Sequence, residues 1–319
     1  DALPISASNN GVNQQGQSQT RQLRPVIADN DFQRDYSSLR GFNARMTLAA
    51  DQLQWRGMNF TQVKSDISNQ QGLLTISQMQ GNLDGGQLSL PGSLDARGET
   101  PHASFKPQLD NVEIGTILQA FDYSINLTGK LSLTGEFSGD KIDADEFRRS
   151  WQGQAQIQMK DTRTEGLNFQ QLVQQAVERS TNVQAQENYD NATRLDDVST
   201  ELQLNNGLVT LKGLQGQSEL MALTGQGELN LLKEECDMRF NVRVLGGWKG
   251  ESKLIDRLKQ TAIPLRIYGN WQTLSYSLQV DQILRKQLQD EAKKRLNEWV
   301  ERNKDTQDGK DVKKLLDKL

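Results

Sequence analysis

Residues Trp151 to Met159 read Trp-Gln-Gly-Gln-Ala-Gln-Ile-Gln-Met, with an apolar residue or glycine at every odd position and glutamine at every even one. A period of two predicts a strand with one buried face and one wet face. Cys236, Met238, Phe240, Val242 and Val244 alternate in the same way with Asp237, Arg239, Asn241 and Arg243. Shorter runs repeat the pattern at Met46/Leu48/Ala50, Leu74/Ile76, Leu88/Leu90, Leu131/Leu133, Leu202/Leu204, Val209/Leu211, Leu229/Leu231, Ile263/Leu265/Ile267 and Leu274/Tyr276/Leu278/Val280. Gln71-Gly72, Asp84-Gly85-Gly86, Pro91-Gly92, Asn206-Gly207, Gly246-Gly247 and Gly269-Asn270 punctuate them as turns. Many short strands at close spacing predict a mainly β, largely antiparallel body.

Three segments follow a helical period instead. Phe169, Leu172, Val173, Ala176 and Val177 fall on one helix face, with Asn168 placed to cap it. Asn111–Phe121 is a shorter candidate, carrying Ile114, Ile117, Leu118 and Phe121. A longer helix is expected over Asp281–Arg302, where Leu284, Leu288, Ala292, Leu296 and Trp299/Val300 form an apolar stripe; after a break at Asp305–Gly309 a helical tail resumes through Leu319. These boundaries divide the chain into a polar linker at 1–35, a β body at 36–280 and a helical carboxy-terminal segment at 281–319.

The β body contains a repeat. Gln70–Gly81 aligns without gaps on Asn205–Gly216, with the glycines, Thr75/Thr210 and the apolar phase in register.

Composition then removes chemistry. A single His102 among 319 residues leaves no second candidate for a Ser/His/Asp triad and no histidine cluster for zinc. The single Cys236 cannot form an internal disulfide, and its place on an apolar strand face marks it as a packed thiol. Asp143/Asp145 and Glu234/Glu235 read as solvated turns, and Asp140, Asp143 and Asp145 lack the correctly placed glycine and closing glutamate of a calcium loop. Lys plus Arg number 37 against 41 Asp plus Glu, a net charge of -4 without a basic stripe, so no nucleic-acid partner is expected. No enzyme, cofactor or metal is expected. No apolar run approaches the ~18 residues of a membrane span, and the chain opens at Asp1 without a signal-like segment, which reads as a processed chain or a fragment.

What remains is shape. Aliphatic residues on one face of strand after strand can be buried between two sheets of a sandwich, the commoner solution, or line an apolar trough suited to acyl chains. The residues alone do not separate the two.

The order Asn206–Leu231, Asn-Gly-Leu-Val-Thr-Leu … Leu-Gln-Gly … Leu-Thr-Gly-Gln-Gly-Glu-Leu-Asn-Leu, followed by Cys236–Val244, resembles the carboxy-terminal domain of the AsmA family of bacterial envelope proteins. Gly72–Leu88 and the strand–turn–helix segment Lys160–Leu172 are similar too, although Thr162 stands where the family often carries glycine. The resemblance runs from about Leu39 to Val280 and rests on diffuse Gly/Leu patterns in a fixed order. It implies a curved antiparallel sheet forming an open, taco-like groove of repeating β units, in a periplasmic part facing from the inner membrane, with an anchor helix outside this chain. It also implies an association with outer-membrane lipid homeostasis, lipopolysaccharide content and outer-membrane protein assembly. A phospholipid or other acyl-chain lipid is the expected partner, with outer-membrane assembly factors as further partners. A scaffold acting through exposed strand edges and a polysaccharide-binding sandwich are the alternatives.

On that fold Leu131, Leu133, Ile157, Met159, Val209, Leu211, Met238, Phe240, Val242 and Val244 are expected to line the groove. Leu284, Leu288, Leu296 and Trp299 are expected to pack a helical cap over one end, because an uncovered sheet end exposes strand edges. A membrane-surface helix is the competing reading of that stripe; Asp290, Glu291 and Glu298 interrupt the basic face it expects.

Overall fold

A computed structural model describes residues 5–8, 20–23 and 36–318. Two short strands, β1 (Ile5–Ser8) and β2 (Thr20–Leu23), pair antiparallel with each other. The rest of the opening segment read as a polar linker lies outside the described residues. A 3-10 turn (Tyr36–Gly41) leads into β3 (Asn43–Trp55), β4 (Met58–Gln70) and β5 (Leu73–Leu83). Four short strands follow: β6 (Gly86–Ser89), β7 (Gly92–Asp95), β8 (His102–Phe105) and β9 (Gln108–Glu113). Then come helix α1 (Ile114–Ala120), β10 (Leu127–Gly139), α2 (Ala144–Arg149), β11 (Gln152–Glu165), α3 (Phe169–Ser180) and β12 (Ala192–Asn205). The chain continues through β13 (Leu208–Gln217), β14 (Met221–Asn230), β15 (Glu235–Val244), α4 (Lys253–Gln260), β16 (Ile263–Asn270) and β17 (Thr273–Leu278). It ends with α5 (Val280–Arg302) and α6 (Gln307–Leu316).

Strands β3 to β17 form one antiparallel sheet with open edges at β3 and β17. From β10 to β17 it is a plain meander. Between β5 and β10 the short strands fill the gap in two rows: β7 and β8 link Leu73–Ile76 to Phe137–Gly139, while β6 and β9 link Gln80–Leu83 to Lys130–Thr134. The repeat is two copies of one hairpin. Gln71-Gly72 and Asn206-Gly207 both place two successive residues at positive φ (49°, 103° and 50°, 84°), the two-residue geometry that matches strand twist.

The register carries the alternation across the sheet. Leu131, Met159, Val198, Gly216, Leu223, Val242 and Ile263 stand in one row, and Ala155, Leu202, Leu211, Gly227, Met238 and Ile267 in another. Residues between them, such as Gln156, Glu201, Gln226 and Arg239, face the other way and are exposed. One face is therefore continuously apolar and the other polar. Strand glycines on the apolar face make room for bulky neighbours: a Cβ on Gly153 would lie 2.5 Å from the Phe137 ring, and one on Gly225 2.6 Å from Phe240.

The helices sit where the apolar face needs cover. Asn168 caps α3 as expected, accepting a hydrogen bond from Gln171 N at 3.0 Å. The candidate over Asn111–Phe121 shortens to α1, because Asn111 to Glu113 complete β9. Helix α4, capped by Ser252, turns Ile255 and Leu258 into the core on one short amphipathic face.

Candidate functional site

All ten residues expected to line a groove lie on the apolar face, but none of them is exposed. Val242 and Val244, 0% and 1% exposed, belong with Met238 to the core beneath α3 and α4, together with Val173, Val177, Ile255 and Leu258. These three are core residues, closed to a ligand in this conformation. Leu131 and Val209 are also buried. Leu133, Ile157, Leu202 and Leu211 are half-buried along the middle of the face, while the half-buried Met159 and Phe240 pack against the core beneath α3 and α4.

No second sheet covers this face; the sheet and its connections do. Adjacent strands rotate by about 20–25°, so β10 and β16, six steps apart, are turned roughly 120–150° relative to each other. That curl brings the segment Phe121–Asn126, which precedes β10, against turns at the far side of the sheet. The Tyr123 ring lies 5.9 Å from that of Trp271 in the β16–β17 turn, and Ser124 Oγ donates to Glu234 Oε2 at 3.3 Å. Arg148 of α2 secures the segment by donating to the Phe121 carbonyl and stacking its guanidinium 4.4 Å from the Tyr123 ring centroid. Burial raises the Tyr123 phenol above its ordinary range, against the opposing pull of Arg148. Phe147, Trp151, Phe137 and Phe105 extend this aromatic plug along the same end.

Trp271 is 8% exposed, yet its indole N–H has no hydrogen-bond partner among the described residues. An unsatisfied buried donor costs about 1–3 kcal/mol. By contrast, the buried amide of Gln174 at the helical end is satisfied. Gln174, 0% exposed, donates to the Gly246 carbonyl at 3.0 Å and accepts from the Tyr189 hydroxyl at 2.8 Å and from Gln170 at 3.2 Å. Burial pushes the Tyr189 phenol up to about 12. Neither the Trp271 contact nor this glutamine network is legible from local pattern, since both join segments far apart in sequence.

The helical cap needs correction. Leu284 is 2% exposed and packs in the core with Val280, but Leu288, Leu296 and Trp299 are 43%, 39% and 40% exposed. The cause is geometric. Residues four apart advance about 40° round a helix, so a stripe at 284, 288, 292 and 296 winds through roughly 120° and cannot rest on one surface. Helix α5 is fixed along its first half, where Arg257 Nε pairs with Glu291 Oε2 at 2.6 Å and Thr261 Oγ1 donates to Gln287 Oε1 at 2.9 Å. Its far end packs on α6 through Val300 and Gly309 rather than on the sheet.

Cys236 is half-buried on the apolar face, and burial raises its thiol pKa. Among the described residues no group of His, Cys, Asp and Glu could hold a metal ion, and no helix is long and apolar enough to cross a membrane.

Comparison with known proteins places this geometry. The AsmA family model matches residues 5–214. Protein AsmA of Escherichia coli (strain K12) is 60% identical over 321 residues, covering 99% of this chain and 52% of that protein. The chain thus spans about half the length of the curated relative it matches. No solved structure matches. The fold and the match over most of its length agree: the chain belongs to the AsmA family of envelope proteins.

Proposed function

We propose that this chain is a non-enzymatic, periplasmic part of an inner-membrane-anchored protein, that its apolar sheet face holds or conducts phospholipid acyl chains, and that it thereby supports outer-membrane lipid homeostasis and protein assembly. One observation carries the reading. The fifteen-strand sheet has one continuous apolar face; among the described residues the only other sheet is the β1–β2 pair lying against β3, and the middle rows at Leu133, Ile157, Leu202 and Leu211 are only half-covered. Surfaces of this kind mark ligand or partner sites. The test is native mass spectrometry of the purified chain with lipid extraction, repeated on Ile157→Asp. Co-purifying phospholipid that is lost in a still-folded Ile157→Asp supports the reading. Wild-type protein that stays lipid-free after incubation with phospholipid vesicles overturns it.

A scaffold acting on outer-membrane proteins is the second reading, favoured by the thirteen-residue edge strand β3 with Met46 half-exposed upon it. Pull-down of unfolded outer-membrane strands by lipid-free protein would support it. The polysaccharide alternative loses ground, since Trp151 and Trp271 are buried and only Trp299 of the five tryptophans is exposed.

A further inference from the structure

We infer that the aromatic end of the apolar face, formed by Trp271, Tyr123, Arg148 and Glu234, is a subsite for the zwitterionic headgroup of an amine-bearing phospholipid. The inference rests on the lipid reading above and adds what end of the lipid goes where. Trp271 brings a donor without an acceptor, at a place nine-tenths buried and walled by Leu231, Val209 and Leu204. An orphaned indole N–H in such surroundings asks for an explanation, and an acceptor oxygen on a ligand supplies one. Tyr123 lies against Trp271 on one side and under the Arg148 guanidinium on the other, so donor and cation belong to one cluster. Arg148 donates to the Phe121 carbonyl and to the Tyr123 phenol and forms no ion pair among the described residues, which leaves it its charge and further donors for a phosphate. Glu234 stands on the other flank of the same segment, where among the described residues its carboxylate accepts a hydrogen bond from Ser124 alone, a carboxylate placed to take an ammonium. Acyl chains would then run from this polar end onto the half-covered rows of Leu133, Ile157, Leu202 and Leu211.

The test compares soluble short-chain ligands on the intact chain: dihexanoyl phosphatidylethanolamine, dihexanoyl phosphatidylglycerol, dihexanoylglycerol and inorganic phosphate. The readout is the ratio of affinities by native mass spectrometry titration. Wild type should prefer phosphatidylethanolamine to dihexanoylglycerol by about tenfold or more, the scale of one or two hydrogen bonds to a charged group. Trp271→Phe, which keeps the ring area, and Arg148→Gln should each collapse that ratio toward one. Glu234→Gln should remove the preference for phosphatidylethanolamine over phosphatidylglycerol. Dihexanoylglycerol bound as well as phosphatidylethanolamine overturns the subsite and leaves the acyl-chain reading standing. Inorganic phosphate bound alone with the same dependence on Arg148 overturns it in favour of a plain anion site. Failure of every ligand to bind wild type overturns both.

Discussion

Leu258→Ala tests whether the helical end of the apolar face is core or empty trough. Leu258 is 1% exposed on α4 and packs in the cluster that holds Val242, Val244 and Ile255. Truncation removes the transfer free energy of a buried leucine and leaves a cavity that well-packed surroundings only partly fill, so the cost should be about 2–5 kcal/mol. Leu288→Ala is the matched control on α5: the residue is 43% exposed, and its loss should change stability by no more than ~0.5 kcal/mol. Urea unfolding followed by circular dichroism reads both as midpoint shifts at unchanged slope. If Leu258→Ala costs no more than the control, α4 does not hold the sheet. Val242 and Val244 would then be open to a ligand, and the division of the apolar face into a packed end and a half-covered middle would be wrong.

Three further outcomes are expected. In a Cys236→Ser background, a short bis-maleimide cross-link between Ser124→Cys and Glu234→Cys should pin the Phe121–Asn126 segment in place. The cross-linked form should then take up phospholipid more slowly than the same variant without the cross-linker, and equal rates would remove this segment as the way in. Gly153→Ala puts a Cβ 2.2 Å from the Glu136 carbonyl and should destabilise by about 1–3 kcal/mol, whereas Gly41→Ala, with open space around it, should be neutral or slightly stabilising by thermal melting. Hydrogen bonds from Arg97 lower the Asp95 pKa from 3.8 to about 2. A depressed folded-state pKa means stabilisation present above the unfolded value and lost as pH falls through about 2. An NMR titration of Asp95 should show the low midpoint, and Arg97→Ala should return it toward 3.8.

Much of the sheet is legible in the sequence because its signals are local. Period-two runs, two-residue turns with a glycine, and the Asn168 cap each act within a few residues, and strands β5 and β13 with their turns appear where the repeat places them. The face of each groove residue follows from the same alternation. Exposure does not, because it depends on contacts that no local period encodes. Ser124 reaches Glu234 and Tyr123 reaches Trp271 only because twist accumulates over six strands. Helix α5 departs from its expected face for a different reason: i+4 spacing does not define one face, and a stripe that winds round the helix turns Leu284 to the body and Leu288 and Leu296 away from it.

The two ends of the apolar face differ in how firmly they are closed, and on the lipid-binding proposal that difference would locate ligand exchange. The helical end holds Leu258, Ile263, Leu265, Leu284, Val173, Val177, Val242 and Val244, each no more than 2% exposed, with the buried amide of Gln174 satisfied at both atoms. Opening it would expose large apolar area and break a buried hydrogen-bond network together, which is the behaviour of a globally stable unit. At the other end the covering segment is half-buried at Phe121, Tyr123, Ser124 and Ile125, and its cross-sheet ties are a ring contact to Trp271 and one side-chain hydrogen bond to Glu234. Lifting it sacrifices less apolar contact and relieves an orphaned N–H that water or a lipid oxygen can satisfy. The less costly opening lies at the Tyr123–Trp271 contact, so on the lipid-binding proposal a lipid bound at Leu133 and Ile157 would enter there, while the helices hold the opposite end of the sheet shut.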